Sequence, residues 1–591
     1  MKRNSLISVL VLTSLLLVPF PASAKETWNS IRTKNFKLVG NASQGDMRKV
    51  AVRLEQFRQT LSVIFPRTRI EASVPTTVVV FKSDDALRPF KPKYKGKTQD
   101  LVAAYFTTSA DVNYIALSTA TEGLNPYEVI FHEYMHFVTG NNLHRAPLWL
   151  NEGLAEFYST FESSDNGQKA TLGDPIARHI YYLRERPLLP LKTLLTVNER
   201  SPYYNESGKI GVFYAESWAL MHYLMLGNGG KRRDQLTHFI SQLNSGISLE
   251  ENFRQSFQAD YKTIEDELRG YVTKMLFPVM TLTFRTPFDF SRETESAQLS
   301  EAETEYYAGD LLLHIGRLDD AEAHLQKSIS LNDHFAPSQI SMGILRLRQG
   351  KLADARQLFD TAIKVDPQNY LSYYYYALML NADGQYEEAV KLLKQAAQLN
   401  GDSSRVFAEM GYIYLRLKRD DEAITALNRA TQLDPFNDSI YRNRSYIYLQ
   451  LARGLLAASN ALIYIRHVGW QDDHSAYMAL AAHFGYRQAR QTTDADHMLE
   501  EAASKLDASA WPYPVIRYLR HELSGEELLA LATDNDKLTE AHAYIGLDLS
   551  LSGNRERAAE HLRWVRENGN RNFVEYPLAL AELSRIEAQT Q

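Results

Sequence analysis

The stretch VIFHEYMHFV, residues 129–138, predicts a buried helix that decides the fold of the first half of the chain. His132 and His136 lie four residues apart in it, so both imidazoles project from one face of the helix. Apolar residues surround the pair, and a buried polar side chain needs a partner. Asn125 is a suitable N-cap for this helix, and Gly140 is a suitable end. The sequence therefore predicts a helix that presents two imidazoles to a common partner.

A second helix is predicted by the stretch WLNEGLAE, residues 149–156, which begins just after Pro147. Glu152 and Glu156 lie four residues apart and share one of its faces. Two imidazole nitrogens and one carboxylate are a ligand set for zinc that leaves a fourth position open for water. We expect Glu152 to complete a site for one Zn²⁺ per chain. We expect Glu156 to orient a ligand histidine through its second ring nitrogen.

Glu133 directly follows the first histidine and supplies a candidate general base. A carboxylate beside a zinc ion can take a proton from water as the water attacks a carbonyl, which is the chemistry of peptide hydrolysis. An alternative interpretation needs no metal: the histidines are then satisfied core residues, and the glutamates form a solvated helix face.

These motifs resemble the gluzincin metallopeptidases, in which a His-Glu-x-x-His helix precedes a helix that carries a glutamate ligand. The stretch 149–156 is still more similar to bacterial peptidase MA-like domains that occur together with tetratricopeptide (TPR) repeats. The resemblance implies that His132, His136 and Glu152 bind zinc and that Glu133 is the general base. The spacing of fifteen residues between His136 and Glu152 is shorter than in the aminopeptidases. It argues against carrying over their substrate preference, and no motif like the one that holds a free amino terminus is present, so we expect an endopeptidase acting on a protein or peptide substrate.

The stretch FYAESWAL, residues 213–220, resembles the helix that supplies a tyrosine to the tetrahedral oxyanion in such enzymes. Tyr214 is the candidate, because a phenol hydroxyl near the metal can donate to the developing charge. The alternative for this residue is a half-buried packing role, since the chain contains 34 tyrosines. His144, His179 and His222 have no such pattern, and we interpret them as ordinary polar or packing residues.

Residues 1–24 have the pattern of a secretory signal peptide: Lys2 and Arg3, an apolar run, and a small-residue cleavage site before Lys25. An uncleaved membrane anchor is the alternative. We expect export across the inner membrane to the periplasm and no transmembrane segment in the mature chain. The chain contains no cysteine, which excludes a disulfide framework and a thiolate metal site.

The formal net charge is −6, and it becomes −8 once Lys2 and Arg3 are removed. Such a modest negative charge favours neither nucleic acid nor an anionic surface as a general partner. Hydrophobic residues make up 45% of the chain and charged residues 23%, which is typical of a folded, soluble protein. The length of 591 residues implies at least two domains.

Residues 25–285 form the predicted α+β, metallopeptidase-like N-terminal domain. An amphipathic helix is expected around residues 50–64, and β-strands are expected at 35–39, 76–81 and 112–118. By the resemblance, strand 112–118 is an edge strand that binds the substrate backbone by strand addition. An edge strand without a substrate role is equally compatible with this sequence.

After a polar linker at 286–299, small and apolar residues recur every 34 residues. The recurring residues are Ala321, Ala355, Ala389 and Ala423; Gly309, Gly343, Ala377 and Gly411; and Leu325, Phe359, Leu393 and Leu427. This period is the TPR signature, in which small residues let two helices approach closely. We expect TPR repeats over 300–470 and an irregular, TPR-like helical region over 471–591. The C-terminal half is therefore predicted to be an all-α solenoid.

The concave face of a TPR solenoid is suited to extended peptides or partner helices. Tyrosines 373–376 either face that groove or pack between repeats. Two functions follow for the whole chain. One is an exported zinc endopeptidase whose repeats recruit a substrate or a partner. The other is an adaptor whose repeats bind a protein and whose N-terminal domain is a non-hydrolytic recognition module.

Overall fold

The computed structural model describes residues 27–590, apart from a set of short gaps. The gaps are 67, 69, 71–73, 95–96, 99–101, 103, 110, 121–124, 144–145, 165–166, 199–200, 206–208, 244–246, 291–293, 471 and 572. The predicted signal peptide and His144 lie outside the described residues. No helix within the described ranges has both the length and the apolar character needed to cross a bilayer.

The described part of the N-terminal half contains eleven strands. They are β1 (Asn29–Arg32), β2 (Phe36–Gly40), β3 (Thr76–Phe81), β4 (Lys93–Tyr94), β5 (Lys97–Thr98), β6 (Ala104–Thr108), β7 (Asn113–Ser118), β8 (Glu162–Ser163), β9 (Lys169–Leu172), β10 (Met280–Thr283) and β11 (Glu295–Gln298). Six of them form one sheet in the order β11-β1-β2-β3-β7-β6, in which β2, β3 and β7 are parallel. The mixed α/β content expected for this half is therefore present.

Two helices of this half lie between strands of the six-stranded sheet in the chain, and the others lie between β7 and β10. The helices are α1 (Gln44–Ile64), α2 (Asp84–Leu87), α3 (Pro126–Asn142), α4 (Leu148–Ser159), α5 (Ala177–Glu185), α6 (Leu191–Thr196), α7 (Pro202–Asn205), α8 (Ile210–Leu226), α9 (Arg233–Ser241), α10 (Leu249–Phe257) and α11 (Tyr261–Val272). The side chains of strand β3 alternate between the two faces of the sheet, and both faces are buried. Val78 and Val80 pack into the core with α1 and α3, whereas Val79 and Phe81 pack on the opposite side.

Strand β3 covers the predicted range 76–81, and β7 begins one residue after the predicted start of its strand. The prediction that this second strand lies at the edge of the sheet is wrong. Strand β7 is paired with β3 on one side and with β6 on the other, so β6 forms the border. The sequence could not reveal this order, because strand neighbours are set by long-range pairing.

The polar segment 286–299 contains a strand as well as a connection. Its strand β11 pairs antiparallel with β1, from Asn29 opposite Gln298 to Arg32 opposite Glu295. This pairing fixes the start of the C-terminal half against the border of the sheet.

The C-terminal half is an all-α solenoid built from consecutive helix pairs. Its helices are α12 (Glu301–His314), α13 (Leu318–Leu331), α14 (Ala336–Arg348), α15 (Leu352–Val365), α16 (Tyr370–Ala382), α17 (Tyr386–Leu399), α18 (Ser404–Arg416), α19 (Asp420–Leu433), α20 (Asp438–Gln450), α21 (Gly454–Val468), α22 (Ser475–Gln488), α23 (Thr492–Lys505), α24 (Tyr513–Leu519), α25 (Gly525–Leu531), α26 (Asn535–Leu551), α27 (Arg555–Asn568) and α28 (Glu575–Thr590). The predicted solenoid class is confirmed.

The recurring glycines show why the repeat needs small residues. A Cβ atom on Gly343 would lie 2.5 Å from the ring of Phe359, and one on Gly411 would lie 2.4 Å from Leu427. These distances are well below normal contact, so the two helices of a repeat approach as closely as glycine permits. Each glycine and its partner belong to the residue sets that recur every 34 residues, and the structure shows which members meet.

The sheet and the solenoid share a core. Val79 and Phe81 of the sheet belong to the same buried cluster as Leu311 and Leu345 of the first repeats. Tyr374, Tyr375 and Tyr376 are buried, and the hydroxyl of Tyr375 interacts with Asp111 of the N-terminal domain. Tyr376 packs on Phe359 as the packing interpretation expects, whereas Tyr375 contacts the N-terminal domain and Tyr373 is only partly buried.

Three buried residues at this contact, Asp111, Asp310 and His314, form what we call the interdomain cluster. Both ring nitrogens of His314 donate, Nε2 to Asp111 Oδ1 at 3.1 Å and Nδ1 to the carbonyl oxygen of Asp310 at 2.7 Å. The carboxylate of Asp310 accepts from the hydroxyls of Tyr114 and Ser341, each at 2.5 Å. Loop and strand of the N-terminal domain thus occupy one side of the first repeats.

Candidate metal centre

Helix α3 forms as the sequence predicts, with one difference at its end. The side chain of Asn125 accepts from the backbone N–H of Tyr127 at 3.1 Å, which satisfies one of the free N–H groups at the start of the helix. Phe131, Tyr134 and Val138 are buried in the core below the sheet. The helix continues past Gly140 to Asn142. Its other face carries the two histidines.

Helix α4 lies against α3 and α8, and a glycine makes the second contact possible. A Cβ atom on Gly153 would lie 2.7 Å from the carbonyl oxygen of Ser217, so only glycine allows α4 to approach α8 this closely. Trp149 and Leu150 are fully buried on the inner side. The close approach brings Glu152 of α4 and Tyr214 of α8 to the histidine face of α3.

His132, His136 and Glu152 converge, and we call these three residues the candidate metal cluster. The Nε2 atoms of His132 and His136 lie 3.0 Å apart. Oε2 of Glu152 lies 3.5 Å from Nε2 of His132 and 3.4 Å from Nε2 of His136. Among the described residues, no fourth histidine or carboxylate joins the group. The spacing of the motif therefore leads to a common point, as the sequence predicts.

The donor set fits a tetrahedral zinc ion. Zinc bonds to nitrogen and oxygen of about 2.0–2.2 Å would separate tetrahedral ligand atoms by about 3.3–3.6 Å. Two of the three separations lie in this range, and the third is slightly shorter. Oε2 of Glu152 is buried yet accepts no hydrogen bond, although an unsatisfied buried carboxylate oxygen is costly. A cation between the three groups would satisfy it.

Glu152 and the two histidines of the cluster shift one another's pKa values. Burial opposes ionisation of Glu152, but the nearby imidazoles of His132 and His136, at 3.5 and 3.4 Å, outweigh burial and lower its pKa to about 2. Burial likewise opposes protonation of His136, and the contact with Glu152 nevertheless raises the pKa of this histidine to about 8. The carboxylate thus attracts positive charge to this point, from protons or from a metal ion.

Glu133 directly follows His132 in α3 and lies beside the cluster. Burial raises the pKa of its carboxyl, while the two neighbouring imidazoles act in the opposite direction. A raised pKa is what a group that accepts and returns a proton needs near neutral pH. Its position and environment are compatible with the role that the resemblance implies.

Glu156 connects the cluster to His179, a histidine without a motif in the sequence. Its carboxylate lies 3.8 Å from Nδ1 of His132, 3.2 Å from Nε2 of His179 and 3.4 Å from the guanidinium of Arg178. Burial opposes ionisation of Glu156, but its contacts with His179, His132 and Arg178 outweigh burial and lower its pKa. His179 is therefore more than a packing residue, and its place on α5 gave no spacing signal that could have revealed it.

Tyr214 lies next to the third ligand. Its hydroxyl donates to Oε1 of Glu152 at 3.3 Å, and its ring stacks near that of His132. Burial and the Glu152 charge raise the pKa of Tyr214 well above its ordinary value, so the phenol keeps its proton. It also interacts with Tyr204 of α7, which the sequence analysis did not single out.

His222 conforms to the packing interpretation. Its ring nitrogens contact the hydroxyl of Tyr271 at 2.7 Å and the carbonyl oxygen of Gly173 at 2.8 Å. Burial lowers the pKa of His222 to about 4, which keeps the imidazole neutral. This histidine is satisfied by its own neighbours and lies apart from the candidate metal cluster.

Comparison with known proteins gives separate matches for the N-terminal and the C-terminal half of the chain. A family model described as protein of unknown function DUF1570 matches residues 128–250, which include every residue of the candidate metal cluster and Tyr214. Two family models described as tetratricopeptide repeat match residues 340–404 and 380–443.

Curated relatives match a short segment only. Cellulose synthase operon protein C from Komagataeibacter xylinus is 41% identical over 61 residues, and that from Komagataeibacter sucrofermentans is 39% identical over 61 residues. The match covers 10% of this chain, and the chain spans about 5% of the length of these relatives.

Solved structures with similarity to this chain include a repeat protein. YrrB, described as a TPR protein with an unusual peptide-binding site, has a TM-score of 0.29 at 19% identity and covers 34% of this chain and 98% of its own. PilF from Pseudomonas aeruginosa has a TM-score of 0.32 at 18% identity, with coverage of 38% and 98%. On the strength of the two family models and the 34-residue packing, the C-terminal half of this chain contains tetratricopeptide repeats.

Proposed function

We propose that the protein is a zinc-dependent endopeptidase whose repeats recruit a substrate or a partner protein. The observation that supports this most is the convergence of His132, His136 and Glu152 around a buried carboxylate oxygen without a hydrogen bond. In an active enzyme these three side chains hold the metal. A bound zinc ion would polarise the scissile carbonyl and lower the pKa of a water molecule.

The remaining groups then have separate tasks. Glu133 takes the proton of the attacking water and returns it to the leaving amine. The Tyr214 hydroxyl, which keeps its proton, donates to the oxyanion of the tetrahedral intermediate. Glu156 holds the ring of His132 in a fixed orientation, and its own carboxylate is held by contacts with His179 and Arg178. Strand β6 forms the border of the sheet beside α3, so its outer edge is the place for an extended substrate.

The decisive experiment replaces Glu133 with Gln in the mature protein. We expect hydrolysis of a quenched-fluorescent peptide library to be lost while one equivalent of zinc stays bound, because Glu133 moves protons and does not hold the metal. Glu250→Gln is the matched control, since this exposed glutamate lies in the same domain and pairs with the exposed Lys192. Hydrolysis by Glu133→Gln at the rate of the parent would disprove the assignment of the base.

A second candidate function is favoured by the family comparisons. TPR repeats bind protein partners, and the matched segment of the N-terminal domain belongs to a family without an assigned activity. In this proposal the protein is an adaptor, and its N-terminal domain recognises a partner without cleaving it. Capture of a partner that survives both chelation and Glu133→Gln, with the partner left intact, would favour the adaptor over the enzyme.

The cellular place of both functions is also part of the proposal. The pattern of residues 1–24 supports export, with the mature chain acting in the periplasm. Fractionation of cells that produce the full chain tests this, and a cytoplasmic protein with residues 1–24 still attached would contradict it.

A further inference from the structure

The segment between α11 and β10 exposes apolar side chains to an unusual degree. Met275 and Leu276 are each 86% exposed, the highest values among the large apolar residues that the structure describes. Val279, four residues further, is also exposed. Single exposed apolar residues need no explanation, but adjacent ones at the tip of a loop indicate a contact with another apolar medium.

Helix α5 joins this loop to form one surface. The guanidinium of Arg184 donates to the carbonyl oxygens of Val272 at 3.4 Å and Lys274 at 2.6 Å, which fixes the end of α5 beside the loop. Tyr181, three residues before Arg184 and thus on the same side of the helix, is 66% exposed. We call residues 181–186 together with 274–279 the α5–loop surface.

The charges around these apolar side chains are mainly positive. Lys274, Arg184 and Arg186 are exposed, and Glu185 is the single acidic residue within the two segments. Lys274 lies 5.2 Å above the ring of Tyr271, and Arg186 lies 4.4 Å above the ring of Tyr182. Both cations therefore contact aromatic rings of the same surface region. The surface therefore combines protruding aliphatic tips, an exposed tyrosine and a positive border, although the whole chain is negative.

We propose that the α5–loop surface attaches the protein peripherally to a lipid bilayer that contains anionic lipids. Met275 and Leu276 enter the apolar layer, and Tyr181 lies at the level of the headgroups, where an aromatic ring with a polar hydroxyl is favoured. Lys274, Arg184 and Arg186 bind the phosphates, with their aliphatic stems along the apolar boundary.

The shape of the surface favours a bilayer over a protein partner. A specific protein interface of standard size uses about 20–30 residues on each side, with charged residues depleted from its centre. Here a few apolar side chains protrude directly next to three cations, which is the arrangement of an interfacial anchor. The attachment is independent of peptidase activity, but it has a consequence for the site. Helix α5 begins beside Glu156, so docking would hold the candidate metal cluster near the membrane.

The test is flotation of the mature protein with lipid vesicles. We expect binding to vesicles of phosphatidylcholine with phosphatidylglycerol, weaker binding to phosphatidylcholine alone, and a loss of binding at high salt. Replacing Met275 and Leu276 together with Ser should lower partitioning onto anionic vesicles about tenfold or more, since both aliphatic side chains lose their apolar environment. Both residues are exposed, so the fold should be unchanged by circular dichroism.

The matched control replaces Leu455 and Leu456 with Ser. This adjacent pair on α21 is 52% and 45% exposed but belongs to the solenoid, and its replacement should leave vesicle binding unchanged. Equal flotation of the parent and the Met275→Ser, Leu276→Ser variant would overturn the proposal, as would a parent that does not float with anionic vesicles at low salt. A parent dimer that the variant dissociates, without vesicle binding by either, would assign the surface to a second copy of the chain instead.

Discussion

Two buried groups of histidine and carboxylate differ in how their hydrogen bonds are completed. In the interdomain cluster, His314 donates from both ring nitrogens and Asp310 accepts from two hydroxyls. In the candidate metal cluster, the two Nε2 atoms lie 3.0 Å apart, and Oε2 of Glu152 accepts nothing. The first group is complete with protein partners alone. The second has its ligand atoms directed at one another and needs something between them.

The comparison shows that the residue types in a buried group indicate little about its function. Whether the polar atoms of the group have hydrogen-bond partners indicates more. Both groups combine imidazole and carboxylate in a buried place, and in both the pKa of a histidine is raised. A satisfied group stabilises the contact between domains, whereas an unsatisfied one with tetrahedral spacing is a candidate for a metal. Variants in the two groups should therefore change different measurements.

The largest expected effect is on zinc content. Elemental analysis of the purified mature protein should give one equivalent of zinc, and His136→Ala should lose it because only two ligands remain. His238→Ala is the control, since this histidine of α9 bonds to Ser256 and lies outside the cluster. Equal zinc in the parent and in His136→Ala would mean that the convergence of the three side chains has no role in metal binding.

The next effect is on stability and concerns the other cluster. His314→Ala removes the cation that faces the carboxylates of Asp111 and Asp310, and leaving buried charges without their partner costs about 3–5 kcal/mol. We expect the midpoint of urea unfolding to fall accordingly, while any bound zinc is retained by the folded protein. If unfolding is unchanged, the interdomain cluster does not stabilise the contact between the sheet and the solenoid.

A pH dependence follows from the same histidine. Burial opposes protonation of His314, but Asp310 and Asp111 outweigh it and raise its pKa to about 9, against about 6.5 in the unfolded chain. Because the folded value is the higher one, the stabilisation is fully present below about pH 6.5 and is lost as pH rises through about 9. The difference in unfolding free energy between the parent and His314→Gln should shrink by about 2–3 kcal/mol across this window. A difference that stays constant with pH would show that His314 is neutral in the folded protein.

The smallest expected effect concerns the orientation of a ligand. Glu156→Gln keeps the size of the side chain but removes the charge beside His132, and loss of such a partner weakens metal binding about 10–100-fold. Competition with a zinc chelator measures the change. Asp310→Asn, the corresponding replacement in the interdomain cluster, should leave zinc affinity unaltered. Equal affinity in the parent and Glu156→Gln would assign Glu156 a structural role with His179.

Prediction from the sequence worked best where the information is local. The spacing of His132 and His136 indicates their common face, strand β3 covers the predicted range 76–81, and the 34-residue period predicts the solenoid. Prediction was less successful where strand pairing with a distant part of the chain decides the structure. The border of the sheet is β6 rather than β7, and residues 295–298 of the polar linker are a strand.

The sequence by itself therefore determined the period of the solenoid, the two helices that carry His132, His136 and Glu152, and the shared face of the two histidines. These properties depend on side chains a few positions apart, whose directions follow from helix and strand geometry. Only the tertiary structure decided that His179 supports Glu156, that Tyr214 reaches Glu152, and that the sheet occupies one side of the first repeats. Those contacts join elements far apart in the chain, and their geometry is set by how whole helices and sheets pack, including the approach that Gly153 permits.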